Sequence, residues 1–267
     1  MLSPRFGDAI FDVVRPILER LPPDRWPTHA ELTRLAQGVT TARRMPLRFV
    51  PPRPTCEEDR RQYELRIAQT GEVETRSESW HDLFNAVQWI AYPATKARIN
   101  EQHAAMLEEG GEDELRHRSP ARDALTLFDE GGLIVASSRP GLLRLVADFQ
   151  WKALFWERRA DLLAHMRFLP FGHALHEQAL APYIGMVAKT VFIPVGDFFF
   201  MLSPGTQRAE ADRMVAAHFE SRARFASPKA MPPLPVLGVP GWHADTASEA
   251  FYDRSSYFRS KPRPEKT

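Results

Sequence analysis

The stretch WHDLFNAVQWIAY, residues 80–92, predicts a helix that is buried on two sides. At about 100° per residue, one side carries polar and aromatic side chains together: His81, Asp82, Asn85, Gln88, Trp89 and Tyr92. The other side is apolar: Leu83, Phe84, Ala86, Val87, Ile90 and Ala91. Because an exposed face does not usually carry Trp and Tyr among its polar groups, we expect the mixed side to wall a polar pocket. Ser79 is expected to cap this helix, and Pro93 to end it.

Capping signals predict further helices on both sides of this stretch. Thr28 and Glu31 form a capping box, and Thr55 and Glu58 form a second one, whose helix is expected to end near Gly71. Hydrophobic residues recur at helical spacing in three later segments: residues 95–109, residues 140–180 with breaks, and a long helix that starts near residue 206. The charged residues 112–118 are expected to form an exposed loop.

Strand signals are few. Residues 124–128 and 133–137 are β-prone and flank the polar, glycine-containing residues 129–132, so they predict a hairpin. Residues 190–195 predict a third strand. The predicted fold class is therefore α+β, a mostly helical single domain with a small antiparallel hairpin or sheet.

The chain is interpreted as one globular domain over residues 1–267. Residues 1–45 form its helical N-terminal segment and residues 46–227 its core. Residues 228–267 contain too many prolines for regular helix and too many apolar residues for a disordered tail. We therefore expect them to form an extended, proline-rich C-terminal arm that packs on the core and contributes to stability.

Composition restricts the classes of partner. The formal net charge is +1, so no global field favours nucleic acid, and we do not expect a nucleic-acid partner. No apolar run approaches the roughly 20 residues that span a bilayer, and the first eight residues lack the pattern of a secretory signal. The single cysteine, Cys56, fits a reducing compartment. We expect no membrane partner and a cytoplasmic location.

Four strings of the sequence resemble a proteobacterial family catalogued as domain of unknown function 3025. They are WHDLFNA at 80–86, RDALTLFDE at 122–130, FGHAL at 171–175 with Glu177, and LPVLGVPGW at 234–242. The resemblance extends from about Phe49 to Arg259. It implies a single structural unit, but the family name carries no activity and assigns no role to any residue.

The first candidate site lies on the helix of residues 80–92. His81 and Asn85 are one turn apart, and Asp82 neighbours Asn85 at a spacing of three. Imidazole, carboxylate and amide groups can together bind a divalent metal or orient a water molecule. In the alternative, Asp82 only meets the free amides and the dipole of the first helical turn, and Asn85 holds a loop.

The second candidate site lies at the start of the predicted hairpin. Asp123 would begin its first strand, a common place for a catalytic or metal-binding carboxylate, with Arg122 beside it. Asp129 and Glu130 fall where a turn favours polar residues in any case. In the structural alternative, Arg122 pairs with Asp123 or Glu130.

The third candidate site is a histidine-rich segment. His173 and Glu177 are one helical turn apart and are candidate metal ligands, with His176 between them. The order of these residues differs from the zincin motif, in which Glu directly follows the first His. Gly172 is expected to let another backbone approach the start of the helix closely. A structural hydrogen bond between His173 and Glu177 is the alternative.

Two functions of different classes remain open at this point. In the first, the protein is a metal-dependent hydrolase of a small-molecule substrate, in which a divalent metal activates water and the three candidate sites converge on one pocket. The residues concerned would be His81, Asp82, Asn85, Arg122, Asp123, His173 and Glu177. In the second, the protein is a non-catalytic binding or interaction protein, and these groups form a buried polar network.

Overall fold

The N-terminal part of the protein is built from short helices and one small sheet. A computed structural model describes residues 6–53 and 62–262, and the predicted capping box at Thr55 lies outside them. The helices here are α1 (Arg15–Leu18), α2 (His29–Leu35) and α3 (Tyr63–Thr70). Strands β1 (Arg48–Val50) and β2 (Glu72–Glu74) pair in parallel.

Two of the predicted helix boundaries in this part are confirmed. The Thr28 side chain accepts a hydrogen bond from the Glu31 backbone, and the Glu31 carboxylate accepts one from the Thr28 backbone. Helix α3 ends at Gly71, whose φ of 73° lies in the left-handed region that glycine adopts without strain. The chain then enters β2 directly.

Helix α4 (Trp80–Ala91) is the predicted helix with two buried sides. The Ser79 side chain accepts a hydrogen bond from the Asp82 backbone N–H, which confirms the predicted cap. Phe84 on the apolar side and Trp89 on the mixed side are both buried, so neither side faces solvent. The chain turns at Tyr92 and continues as α5 (Pro93–Arg116).

Helix α5 extends beyond the point where it was expected to stop. Gly111 has non-helical backbone angles, so the predicted end at this glycine is a kink instead. Most of the predicted exposed loop at 112–118 is helical. An ion pair at 2.9 Å between Glu112 and Arg116, one turn apart, supports the helix beyond the kink.

The predicted hairpin over residues 124–137 is wrong. Its first half belongs to α6 (Pro120–Gly131), and its second half is the strand β3 (Gly132–Ser137). Ser119 caps α6 by accepting a hydrogen bond from the backbone N–H of Arg122, and Pro120 occupies the first helical turn. Ala124, Leu125 and Phe128 are fully buried at helical spacing, and this burial outweighs the local β propensity.

The larger sheet is mixed, whereas an antiparallel arrangement was expected. Its strands follow the order β4 (Met166–Pro170), β3, β5 (Val187–Pro194) and β6 (Pro233–Pro235). β3 pairs antiparallel to β4 and parallel to β5, and residues 138–186 provide the long connection that the parallel pair requires. β5, which contains all but the last residue of the predicted third strand at 190–195, pairs antiparallel to β6. Helices surround these small sheets, so the α+β class is confirmed.

The remaining helices and the C-terminal segment cover the sheet. The helices are α7 (Pro140–Ala147), α8 (Arg159–His165), α9 (His173–Gln178) and α10 (Pro204–His218), with a π-helix at Ala153–Glu157. The C-terminal segment is less extended than predicted. It consists of β6 and the 3₁₀ turns Pro228–Ala230, Val236–Gly238, Ala244–Ala247 and Glu249–Asp253. Short 3₁₀ turns suit a proline-rich chain because each needs few backbone donors.

Buried apolar residues from all these parts form one cluster. In the C-terminal segment Phe251, Tyr252 and Phe258 belong to it, and the Tyr257 hydroxyl donates to the Met186 carbonyl at 2.8 Å. Within residues 6–53 and 62–262, no helix is both long and apolar enough to cross a membrane.

Candidate functional site

A cavity of about 600 Å³ opens between α3, α4, the end of α5, α6 and the start of α9. Most of the side chains that line it are polar or charged. They include His81, Asp82, Asn85, Glu130 and His173, together with several arginines. The polar pocket that the pattern of α4 predicted is therefore present, and the mixed side of α4 contributes to its wall.

Three groups of the kind that bind metals meet in this cavity. The Nε2 atoms of His81 and His173 each lie 3.3 Å from the same carboxylate oxygen, Oε2 of Glu130. One ligand atom from each residue lies within 4.8 Å of the other two. In the part of the chain that the structure describes, these residues form the one group of three or more His, Cys, Asp and Glu side chains with this spacing. We call it the His–Glu–His group.

Three separate helices position the His–Glu–His group. His81 lies in the first turn of α4, Glu130 in the last turn of α6 and His173 at the start of α9. Gly172 brings the last two together, because a Cβ atom there would lie 2.3 Å from the Glu130 carbonyl oxygen. Its backbone N–H instead donates to the Gly132 carbonyl at 2.9 Å. The close backbone approach predicted at Gly172 is confirmed.

Each histidine of the group also has a carboxylate on its second nitrogen. Nδ1 of His81 lies 3.3 Å from Oδ1 of Asp82. Nδ1 of His173 is buried, has no hydrogen-bond partner within the described residues, and lies 3.6 Å from Oδ2 of Asp129. Both imidazoles therefore direct Nε2 toward Glu130 and Nδ1 toward an aspartate.

A cation holds each of these two aspartates. Arg76 donates to Asp82 from Nε at 2.9 Å, from Nη2 at 2.8 Å and from its backbone N–H at 2.6 Å. Buried Lys96 donates to the two oxygens of Asp129 at 2.7 and 2.9 Å and to Oδ1 of Asn85 at 2.8 Å. The charges around the group are therefore ordered by directed hydrogen bonds.

Electrostatics keeps the carboxylates of the site ionised. Hydrogen bonds from His173 and His81 hold the pKa of Glu130 well below its usual range. Burial opposes ionisation of Asp82 and of Asp129, but hydrogen bonds from His81 and Arg76 lower the pKa of Asp82, and the charge of Lys96 lowers that of Asp129. Hydrogen bonds to Asp82 and then to Glu130 raise the pKa of His81 to about 10. When no metal is bound, three carboxylates thus face three cations. The pairs are Asp82 with Arg76, Asp129 with Lys96, and Glu130 with His81.

A fourth carboxyl group, that of Glu64 on α3, differs from these. It also lines the cavity, and its Oε2 accepts a hydrogen bond from Nδ2 of Asn100 at 2.7 Å. Burial raises the pKa of Glu64, with the charge of Asp129 acting in the same direction. Glu64 therefore favours the protonated form more than Glu130 does, and the two carboxyl groups suit different roles.

The donor set of the His–Glu–His group fits a divalent transition metal. Two imidazoles and one carboxylate are the protein ligands of several catalytic zinc sites and of non-haem iron sites. In metal sites, a ligating histidine almost always donates its other N–H to a carboxylate, a carbonyl or a water. The hydrogen bond between Nδ1 of His81 and Asp82 matches that requirement, whereas Asp129 lies near Nδ1 of His173 without a hydrogen bond. The residues present therefore fit a metal of this class.

Comparison with known proteins identifies a family. The family model described as protein of unknown function (DUF3025) matches residues 47–262. The chain belongs to the DUF3025 family. The match includes every residue of the His–Glu–His group and confirms the family resemblance of the sequence strings. No curated protein and no solved structure matches this DUF3025 chain.

The cavity of this DUF3025 protein brings together five of the seven residues that the sequence singled out. His81, Asp82, Asn85, Arg122 and His173 all line it. Asp123 does not, because α6 is a helix and turns this side chain outward, where it is half exposed and lies 3.9 Å from Arg118. Arg122 pairs with Glu114 at 3.2 Å, and not with Asp123 or Glu130 as in the structural alternative. Glu177, the other expected metal ligand, lies outside the His–Glu–His group and the cavity wall.

The DUF3025 site contains residues whose role the sequence analysis did not recognise. Glu130 and Asp129 were attributed to a hairpin turn, and Lys96 was not considered. The Ser119-Pro120 pair, a common helix start, was the available signal. A helix from that point places Arg122, Thr126 and Glu130 on one face at a spacing of four, and all three line the cavity.

Proposed function

We propose that this protein is a metal-dependent hydrolase of a small substrate, with a divalent cation held by His81, Glu130 and His173. The observation that carries the proposal is the orientation of the two histidines. Both direct Nε2 to one oxygen of Glu130 at 3.3 Å, and both direct Nδ1 to an aspartate. In metal sites, the histidine nitrogen that does not bind the metal almost always donates to a carboxylate, a carbonyl or a water, and Nδ1 of His81 has such a partner in Asp82.

The cavity supports the hydrolytic part of the proposal. Three protein ligands leave a coordination position for water or substrate, as in catalytic zinc sites. A divalent cation there would lower the pKa of a coordinated water to about 7 and polarise the bond to be cleaved. Glu64 lines the same cavity, and burial raises its pKa, which is the direction that suits a group that donates a proton to the leaving group.

A second candidate function is a non-catalytic binding protein in which the same residues form a structural network. The charge balance favours it. Asp82, Asp129 and Glu130 are matched by Arg76, Lys96 and His81, so the network is neutralised without a metal. This candidate predicts that the folded protein binds no divalent cation at the His–Glu–His group.

Metal analysis of protein purified without an affinity tag tests the first candidate against the second. We expect about one equivalent of a transition metal per chain, measured by inductively coupled plasma mass spectrometry, and saturable Zn²⁺ binding after removal of that metal. His81→Ala, Glu130→Ala and His173→Ala should each weaken Zn²⁺ binding by about 100-fold or more, since losing a ligand should cost at least as much as losing a residue that hydrogen-bonds to a ligand.

His117→Ala is the matched control, because His117 is exposed and does not line the cavity. Its Zn²⁺ affinity should equal that of the wild type. Wild-type protein that is folded but binds none of Zn²⁺, Mn²⁺ and Fe²⁺ would refute the metal centre and favour the structural network. If metal is bound, Glu64→Gln should reduce turnover of a cleaved ester, amide or phosphoester without changing metal content.

A further inference from the structure

A second polar feature of the cavity lies on α6 two turns before Glu130. Arg122 is only 6% exposed, yet it lines the cavity. Its Nη1 donates to the Glu114 carbonyl at 2.6 Å, and its Nε lies 3.5 Å from Nδ1 of His103. These contacts fix the plane of the guanidinium group. Nη2 has no hydrogen-bond partner within residues 6–53 and 62–262, and it is not sealed from solvent.

Arg118 adds a second positive charge to this part of the wall. Its side chain is half exposed, lines the cavity, and has one ion pair in the described part of the chain, a long contact of 3.9 Å to Asp123. By contrast, Arg76 and Arg116 also line the cavity but are paired at 2.8 and 2.9 Å. Arg118 is thus the lining arginine whose charge is least compensated by an acidic partner.

Both arginines act on one buried neighbour, His103, whose Nδ1 lies 3.5 Å from Nε of Arg122. The pKa of His103 is lowered to about 3, first by burial and then by the charge of Arg122, with Asp129 opposing the shift and Arg118 adding to it. An oxyanion is the ligand that arginine donors with spare hydrogen-bonding capacity favour.

We propose that Arg122 and Arg118 bind an oxyanion group, a carboxylate or a phosphate, of the molecule that enters the cavity. Within the proposed function, on which this assignment rests, that group belongs to the hydrolase substrate and lies away from the bond that is cleaved. Arg122 and Glu130 are eight residues apart on one helix, so their Cα atoms are about 12 Å apart. The substrate therefore carries its negative group on the order of 10 Å from the reacting atoms.

Binding of sodium phosphate and of sodium succinate, measured by isothermal titration calorimetry at constant ionic strength, tests this assignment. The two ligands distinguish a phosphate from a carboxylate. The protein is used after chelation of bound metal, so that neither ligand binds through a cation. Arg122→Gln should weaken binding of the preferred anion by about tenfold or more, because a charge-assisted hydrogen bond is lost. Arg118→Gln should weaken it several-fold.

Two variants keep the test independent of folding defects. Arg118 is exposed, so Arg118→Gln is expected to fold even if Arg122→Gln does not, since Arg122 also holds Glu114. Arg213→Gln removes an equally positive but remote side chain, which pairs with Glu210, and should leave anion binding unchanged. Anion affinity that is equal in the wild type and in Arg118→Gln, or no saturable binding of either anion, overturns the assignment.

Zn²⁺ titration of the same variants separates the two proposals. Arginine variants that keep wild-type Zn²⁺ affinity but lose the anion support the oxyanion subsite. A wild-type protein that binds Zn²⁺ but neither anion refutes the subsite and leaves the proposed metal centre standing. A wild-type protein that binds an anion through the arginines but binds no metal refutes the proposed metal-dependent hydrolase. The oxyanion site itself then stands.

Discussion

His173 and His176 lie on the same short helix, but they occupy opposite kinds of environment. His173 contacts His81, with ring centroids 4.5 Å apart, and lies beside two carboxylates. His176 packs against the rings of Phe11 and Phe84, with centroids at 5.8 and 5.6 Å, and these two rings also stack on each other. The Nδ1 atom of His176 lies 2.9 Å from the Gly172 carbonyl oxygen, and burial lowers its pKa to about 4.

The difference arises from what packs against each ring. Helix α9 lies along α4, so His173 contacts His81. One turn further along both helices, His176 contacts Phe84. The polar end of α4 faces Glu130, whereas its next turn faces the N-terminal Phe11. One helical turn thus separates a site suited to chemistry from the apolar core. The chemistry of a histidine is decided by its neighbours.

The largest effect expected from this comparison is on stability. His176→Ala should reduce the free energy of unfolding by about 2–5 kcal/mol, because it leaves a buried void beside two aromatic rings. His173→Ala should cost less, because its side chain borders an open cavity. Chemical denaturation of the metal-free proteins measures both. An equal loss in the two variants would contradict the contrast between core and cavity.

The second effect concerns pH. The folded-state pKa of His176 is about 4, below the usual value of 6.5, so the unfolded chain binds the proton first as pH falls. The contribution of neutral His176 is therefore complete above pH 6.5 and is lost between pH 6.5 and pH 4, by about 3 kcal/mol. Urea titrations at pH 7 and pH 4 should show a smaller decrease in His176→Phe than in the wild type.

His103 is also buried with a lowered pKa, so it too reduces the free energy of unfolding as pH falls, in the wild type and in His176→Phe alike. Only the difference between the two proteins in this loss therefore reports on His176. If the two proteins lose the same free energy over this range, His176 is not held neutral by burial.

The smallest expected effect concerns His173 and the Zn²⁺ affinity of the cavity. Asp129→Asn removes the charge beside Nδ1 of His173 and keeps the shape of the side chain, so Zn²⁺ affinity should fall by about 10- to 100-fold. Asp123→Asn removes the same charge from the outward side of α6 and should leave the affinity unchanged. Competitive titration with a fluorescent zinc chelator measures both. Equal affinities in the two variants would show that Asp129 does not act through His173.

The prediction of α4 succeeded because its signals are local. The cap at Ser79 and the mixture of aromatic and polar residues depend only on neighbours within a few turns. Gly172 was also recognised, since a glycine before a helix start indicates close approach of a backbone. The sequence could not indicate that this backbone is the end of α6.

The prediction of α6 failed because local propensity and tertiary packing disagree there. Residues 124–128 are β-prone, but the apolar side of the helix is fully buried in the core. Because of that error, Asp123 was included in the predicted site and Glu130 was left out of it. A change from period 2 to period 3.6 reassigns which side chains share a face.

By itself, the sequence determined the α+β class, the helix that walls the cavity and five of the residues that line it, and four of its strings indicated the family by resemblance. The class and the helix follow from periodicity, caps and composition, which are short-range properties of a chain, whereas the family follows only from the resemblance. Only the tertiary structure decided that His81, Glu130 and His173 share one centre and that Glu177 does not join them. The three residues come from three helices, and long-range packing that no local pattern encodes brings them within 4.8 Å of one another.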